Sequence, residues 1–411
     1  MRTLALDVAR YEPIKLKSGD LRKGMFVCEI DRPWSQTPFP PAGFAIKSEA
    51  DIEEVKQHCD YIYIDLGRTR MTRVKIDAPP PRNFAGENHH TPLEKEMPHA
   101  ESVKNATSTL VQSFLDDIRL GHSLDLKLAQ SAVSHCVASA LRNPDALMLI
   151  TRMQEKSPQV AAHAFNGCVY SIILGRIQGL EARQLEELGV SGLLHDIGHI
   201  EIPDEILNKT TTLSEEEFAL IKRHTTFGRD ILLSAGDIHN GAAEVAYSHH
   251  ECPDGSGYPR GLKDPQIDLH CKIVAVVDKY EAITRNTPYR TAQSHLDAVN
   301  LLNLLADSGK IDKLLCASFV SYLGFYPPGT IVELSSGEVA IVLKSHSKNR
   351  LRPLLLIVRD AENTPVEKIV DLAVATPDGK GKPRKIKMVH LPGHLGIDLS
   401  HYQSALIHAY D

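Results

Sequence analysis

The sequence predicts a multidomain, mainly α protein in which a helical bundle is flanked by a small α+β N-terminal domain and a small β C-terminal appendage. Three observations carry this reading. The 411 residues exceed what one ordinary hydrophobic core organises. Between about residues 101 and 325 apolar side chains recur at i, i+3 and i+4, as in Leu110, Phe114, Leu115 and Ile118 or in Leu185, Leu188, Leu193 and Leu194, which is the helical period. After Pro327-Pro328-Gly329 the pattern turns to short branched runs, Ile331 to Leu334, Val339 to Leu343 and Leu354 to Val358, which is the signature of strands.

Taken in order, residues 1–78 mix strand-like runs (Met25 to Ile30, Tyr61 to Ile64) with a helical stretch near Glu49 to His58, as a regulatory α+β domain would. Residues 79–100 contain Pro79-Pro80-Pro81 and then polar residues without a period, and are expected to form an exposed linker. Residues 101–325 form the helical domain, with its core at 150–325. Within it Ser214 and Glu217 make a capping box, so a helix is expected to run through Phe218, Ile221 and His224, leaving His224 well inside it. Residues 326–411 are the β-rich appendage, hinged on a Ser335 to Glu338 turn; the last thirty residues show no pattern that assigns an element.

Composition narrows the class. A formal net charge of -6 provides no general field for nucleic acid or an anionic membrane. The seven cysteines are scattered without a CxxC pair, which argues against a disulfide framework and a zinc ribbon and favours the cytoplasm. The first residues lack a secretory apolar stretch, and no run approaches the length of a membrane span.

The chemistry lies in the histidines. His163, His195, Asp196, His224, His249, His250 and Asp278 recur at intervals that let a helical chain return repeatedly to one level of a bundle. Imidazole suits iron, manganese, nickel and zinc, and a carboxylate can bridge two ions. A lone helical histidine is more often structural, but this set is hard to explain singly. Asp196, directly after His195 at a helix end, is the expected bridge. Asp278 follows Ile273-Val274-Ala275-Val276-Val277, where a buried carboxylate requires a metal or a basic partner. His89, His90, His99, His122, His135 and His239 fall outside the pattern.

With His195-Asp196-Ile197-Gly198, Lys222 through Gly228, His249 to Leu262 with its Gly257-Tyr258-Pro259, and Pro288-Tyr289-Arg290, the chain resembles the HD-GYP family of HD phosphohydrolases over residues 150–325. Asp20 to Met25 and Asp31 to Phe39 resemble the uncharacterised domain that precedes HD-GYP in one subfamily. The resemblance implies an HD-type bundle holding two divalent metal ions, iron or manganese foremost, with nickel, zinc or magnesium as alternatives, and cyclic di-GMP as substrate. His163, His195, Asp196 and Asp278 would hold one ion, and Asp196, His224, His249 and His250 the other. A hydroxide bridging them would attack the phosphodiester, giving pGpG, GMP or both.

Three departures from the family pattern stand out. His199 replaces a lysine that contacts phosphate, Gln159 replaces a glutamate associated with a third metal, and Thr287 replaces an arginine. His199 is therefore expected in the catalytic and substrate-binding set together with Asp196. Arg290, whose guanidinium fork suits phosphate, Arg285 and Tyr258 complete the expected substrate contacts; Tyr258 stacks near guanine or braces its loop. The family resemblance also suggests partners such as diguanylate cyclase domains at the Gly257-Tyr258-Pro259 loop, and is compatible with a homodimer. Two alternatives remain at this stage: a catalytically weak cyclic di-GMP sensor signalling through the N-terminal domain, and another HD-type metal enzyme.

Overall fold

A computed structural model describes residues 13–409 except 66–67, 70–90, 154–158, 210, 212, 237–239, 286–291, 347–348, 375–380 and 392. Arg290, Thr287, His89, His90 and His239 lie outside the described residues. The chain opens with β1 (Ile14–Lys17), β2 (Phe26–Ile30), β3 (Phe44–Ala45), α1 (Glu49–His58) and β4 (Tyr61–Ile64). These strands pair antiparallel in the order β1-β4-β2-β3. Helix α1 is started by a Ser48–Asp51 capping box and packs Ile52 and Val55 into the core.

The helical region comprises α2 (Leu93–Arg119), α3 (Leu126–Arg142), α4 (Pro144–Ile150), α5 (Gln159–Ile177), α6 (Ala182–Leu194), α7 (Asp204–Leu207), α8 (Glu215–Lys222), α9 (His224–Ser234), α10 (Asn240–Ser248), α11 (Leu269–Thr284), α12 (His295–Asp307) and α13 (Lys313–Leu323). Helix α5 is long and apolar enough to cross a membrane by composition, but 78% of that stretch is buried inside the protein. It is the central helix of the bundle, packed against α6 and α11, and it carries His163. Its small residues allow close approach: a Cβ on Gly167 would meet the Gly192 carbonyl of α6 at 2.7 Å.

Two helical expectations change. The expected linker at 79–100 is helical from Leu93 onward, because Leu93, Met97 and Ala100 form a buried stripe at i, i+4 and i+7 that Pro98 and the charges around it obscure. The helix begun at Ser214 stops at Lys222, and His224 opens α9 rather than lying within α8. The carbonyl of His224 lies where a Cβ on Gly198 would sit, 2.0 Å away, so the break brings α9 against the turn that follows α6.

The C-terminal region is a five-stranded antiparallel sheet of β5 (Ile331–Leu334), β6 (Val339–Lys344), β7 (Leu354–Arg359), β8 (Pro365–Asp371) and β9 (Ile386–His390), ordered β8-β7-β6-β5-β9. The last thirty residues supply β9, paired with β5, and α14 (Gln403–His408), which packs on α2.

Helix α2 is tied to α3 by a buried carboxylate. Glu96 accepts from Ser139 Oγ at 2.7 Å and from Arg142 Nε and Nη2, both at 2.7 Å. Replacing Glu96 with alanine is expected to lower stability by about 2 kcal/mol, the scale of hydrogen bonds to a charged group, read from chemical denaturation; an unchanged midpoint would show that α2 is held by its apolar stripe alone.

Candidate metal centre

Five chain segments converge on one point. Helix α5 brings His163, the turn after α6 brings His195 and Asp196, the start of α9 brings His224, the end of α10 is followed by His249 and His250, and α11 brings Asp278. The last turns of helices leave carbonyls without intrahelical partners, and three of the imidazoles use them. His195 Nδ1 lies 3.0 Å from the Gly192 carbonyl, His224 Nδ1 2.8 Å from that of Ile221, and His249 Nδ1 3.1 Å from those of Val245 and Ala246. A carbonyl only accepts, so each Nδ1–H donates, and in the neutral ring each Nε2 is left as a lone pair.

Those lone pairs point at Asp196. Its Oδ2 lies 3.0 Å from His163 Nε2 and 3.6 Å from His195 Nε2; its Oδ1 lies 3.4 Å from both His224 Nε2 and His249 Nε2. Asp278 Oδ1 is 3.7 Å from His195 Nε2. The seven residues thus form two donor sets sharing Asp196: His163, His195, Asp196 and Asp278, and Asp196, His224, His249 and His250, with the donor atoms of each within 4.8 Å of one another.

Within this ring His195 Nε2 and Asp196 Oδ1 are buried and have no hydrogen-bond partner. Buried polar atoms are ordinarily satisfied, and lone pairs facing carboxylate oxygens repel unless a cation sits between them. The donor sets therefore fit metal ions. The ammonium of Lys279 already approaches them, 3.3 Å from His250 Nδ1 and 3.6 Å from Asp278 Oδ2.

The protonation states divide. Burial works to lower His163 and His195, but Glu281 beside His163 and Asp196 beside His195 outweigh it and raise both, His163 to about 10. A bound cation would have to displace their protons, whereas the other groups agree with the fit. Burial pushes His224 and His250 well below the ordinary histidine value, and neighbouring imidazoles add to the effect; neutral imidazole is the ligating form. Burial works to raise Asp196 and Asp278. Nearby basic groups, His199 and His195 for Asp196 and Lys279 and His195 for Asp278, outweigh it and hold both carboxyls well below the usual range.

The remaining expected residues are dispersed around this centre. His199 stands at its rim, stacked on His224 with ring centroids 4.1 Å apart and with Nδ1 donating to the Asp196 carbonyl at 3.2 Å. Tyr258 stacks on His250 at 4.8 Å, so its ring braces the second donor set. Arg285 faces Glu281, with Nε 3.3 Å from Oε2, and lines a cavity that contains none of the seven donors. A separate groove of about 410 Å³ reaches His163, His195, Asp196 and His199 between α2, α5 and the turn after α6.

Two acidic residues were not anticipated. Glu281 Oε2 accepts from His163 Nδ1 at 2.6 Å and fixes that ring as the helix-end carbonyls fix the others. Its signal is the i, i+3 spacing from Asp278, which places both on one helical face. Glu251 accepts from the backbone N–H groups of Arg260 and Leu262 at 2.7 and 2.8 Å, stapling the loop behind His249 and His250. Gly257 fits that loop because a Cβ there would lie 2.4 Å from the His250 carbonyl.

Residues 147–315 match the family described as HD domain, and residues 14–129 match a domain of unknown function, DUF3391. A cyclic di-GMP phosphodiesterase of Pseudomonas aeruginosa is 33% identical over 365 residues, 86% of this chain and 88% of its own length. The chain belongs to the HD-GYP family. Other relatives match shorter stretches. A cyclic di-GMP phosphodiesterase of Thermotoga maritima is 42% identical over 147 residues, 33% of this chain and 39% of its own. A 3'3'-cGAMP-specific phosphodiesterase of Vibrio cholerae is 38% identical over 139 residues, 34% of this chain and 32% of its own.

The Gly198 contact gives a test of the geometry. Gly198→Ala is expected to force the His195-Asp196 turn away from α9 and to cost about 2 kcal/mol, the scale of overpacking. The check is thermal denaturation of the purified variant; wild-type stability would mean that the two segments part easily.

Proposed function

We propose that this chain is a metal-dependent phosphodiesterase that hydrolyses cyclic di-GMP to pGpG, GMP or both. The observation that carries the reading is the carboxylate of Asp196 standing between two donor sets, each with three further ligands. His163, His195, Asp196 and Asp278 would hold one divalent ion and Asp196, His224, His249 and His250 the other. The imidazole-rich sets suit iron or manganese, and Gln159, exposed at the start of α5, favours two ions over three. Bound there, two such ions supply Lewis-acid polarisation of the phosphate and lower the pKa of water.

The protein's own groups then do the remaining work. Burial of five of the seven donors, all but Asp196 and His250, keeps bulk water from competing. The groove beside His163, His195 and Asp196 admits a cyclic dinucleotide, with Val111, Phe114 and Leu115 of α2 as an apolar wall. His199 at the rim is the candidate phosphate contact: with Nδ1 donating to the Asp196 carbonyl, a protonated ring offers Nε2–H to a phosphate oxygen. Arg285 and Arg290 are the candidate guanidinium contacts, and Tyr258 is the brace of His250 beside the reacting phosphate.

The Pseudomonas and Thermotoga relatives are named for cyclic di-GMP, and the former matches most of the chain. This supports cyclic di-GMP over 3'3'-cGAMP, the substrate named for the Vibrio relative. The reading includes a regulatory N-terminal domain at 1–78, a connection at 79–100, a catalytic domain at 101–325 and an appendage at 326–411. It also includes a cytoplasmic location, for which the seven free cysteines give support, and a partner such as a diguanylate cyclase domain at the Gly257-Tyr258-Pro259 loop.

Chromatography of cyclic di-GMP and 3'3'-cGAMP incubated with manganese- or iron-loaded protein tests the reaction. Conversion of cyclic di-GMP to pGpG or GMP is expected, with slower turnover of 3'3'-cGAMP; intact cyclic di-GMP would refute the assignment. Asp196→Ala is expected to lose activity by about 100-fold or more and to retain less metal. His199→Lys is expected to preserve or raise turnover, and its inactivity would give His199 a role beyond donating to phosphate.

A further inference from the structure

A cavity of about 320 Å³ separates α5 and α11 from the C-terminal sheet and lies apart from the seven donors. Among the described residues, Lys104, Arg152 and Arg285 line it, together with one carboxylate, Glu281. That carboxylate already faces His163 and Arg285.

Arg152 defines its chemistry. Its Nη2 donates to the Tyr280 hydroxyl at 3.1 Å. The Tyr280 hydroxyl is 2.9 Å from His295 Nδ1, and His295 Nε2 is 2.8 Å from the Gly324 carbonyl. The last acceptor fixes the direction of the chain: His295 Nε2–H donates to Gly324, so Nδ1 accepts from Tyr280, and the phenol oxygen accepts from Arg152. Burial, reinforced by Arg152, pushes His295 down to about 3, which keeps the relay neutral. Arg152 is thus aimed by an uncharged relay that does nothing to balance its charge. Among the described residues no carboxylate pairs with it, and its Nε is buried without a hydrogen-bond partner. A guanidinium remains charged at any physiological pH, and this half-buried one, unmatched by a carboxylate among the described residues, suits an anionic ligand.

We propose that this cavity binds a nucleoside monophosphate, with the phosphate on Arg152 and the nucleoside against Ile150, Met153, Tyr170 and Val389. The volume lies at the small end of ligand pockets, which suits a mononucleotide better than a cyclic dinucleotide. Planar, bidentate donors are the usual choice for phosphate. The site uses none of the seven donors, although Arg285, a candidate substrate contact, and Glu281, the partner of His163, lie in its wall.

Calorimetric titration of the full chain with GMP, AMP and inorganic phosphate tests it. One mononucleotide per chain is expected to bind, and more tightly than phosphate. Arg152→Gln should weaken binding about ten-fold or more, the scale of a lost charge-assisted hydrogen bond. Val389→Trp, which fills the apolar wall from β9, should also weaken it, while Asp196→Ala should leave it unchanged. Binding that survives both cavity variants, that disappears with Asp196→Ala, or that phosphate alone matches would overturn the proposal, as would no binding by any of the three probes.

Discussion

The arrangement of the bundle depends on one carboxylate. Asp196 is placed by the turn after α6 so that its oxygens face different histidines, Oδ2 towards His163 and His195 and Oδ1 towards His224 and His249. A buried carboxylate with an unsatisfied oxygen is tolerated only where the surrounding groups favour its charged form. Every segment that reaches it must therefore end at a set height and angle. The glycines at 167, 192 and 198 permit this, since a side chain at any of them would strike a neighbouring backbone carbonyl.

The rings are oriented by groups that the fold leaves over. Helix ends supply carbonyls, and three histidines within three or four residues of such an end turn Nδ1 towards them and Nε2 towards Asp196. His163 lies inside α5, where the carbonyls are occupied, so it needs a side-chain acceptor and finds Glu281. Backbone geometry thus sets the protonated nitrogen for one group of ligands and a carboxylate sets it for the other. The loop after His250 is held by Glu251 and by the stacking of Tyr258 on His250, which ties a turn-rich segment to the same centre.

Much of this was legible in the sequence because the donor residues are chemically distinctive and recur at a spacing a bundle can close. The α+β beginning, the helical middle and the strands from Ile331 to Val358 were legible for a simpler reason, their local period. What escaped depends on contacts between distant segments. The start of α2 is masked by Pro98 and by charges that alternate with its buried stripe. The break at Arg223 reflects the approach of Gly198 to α9, which no local pattern encodes. Strand β9 is largely solvent-facing and basic, and is defined by its pairing with β5 some fifty residues earlier. Glu281 required the register of α11 relative to α5 as well as its own spacing from Asp278.

The central claim is that one carboxylate joins two metal sites. Electron paramagnetic resonance of the manganese-loaded chain, at a measured stoichiometry, tests it most directly. Two ions per chain with the spectrum of an exchange-coupled pair is the expected result. A single ion per chain, or two ions that each give the spectrum of isolated manganese, would contradict a shared Asp196.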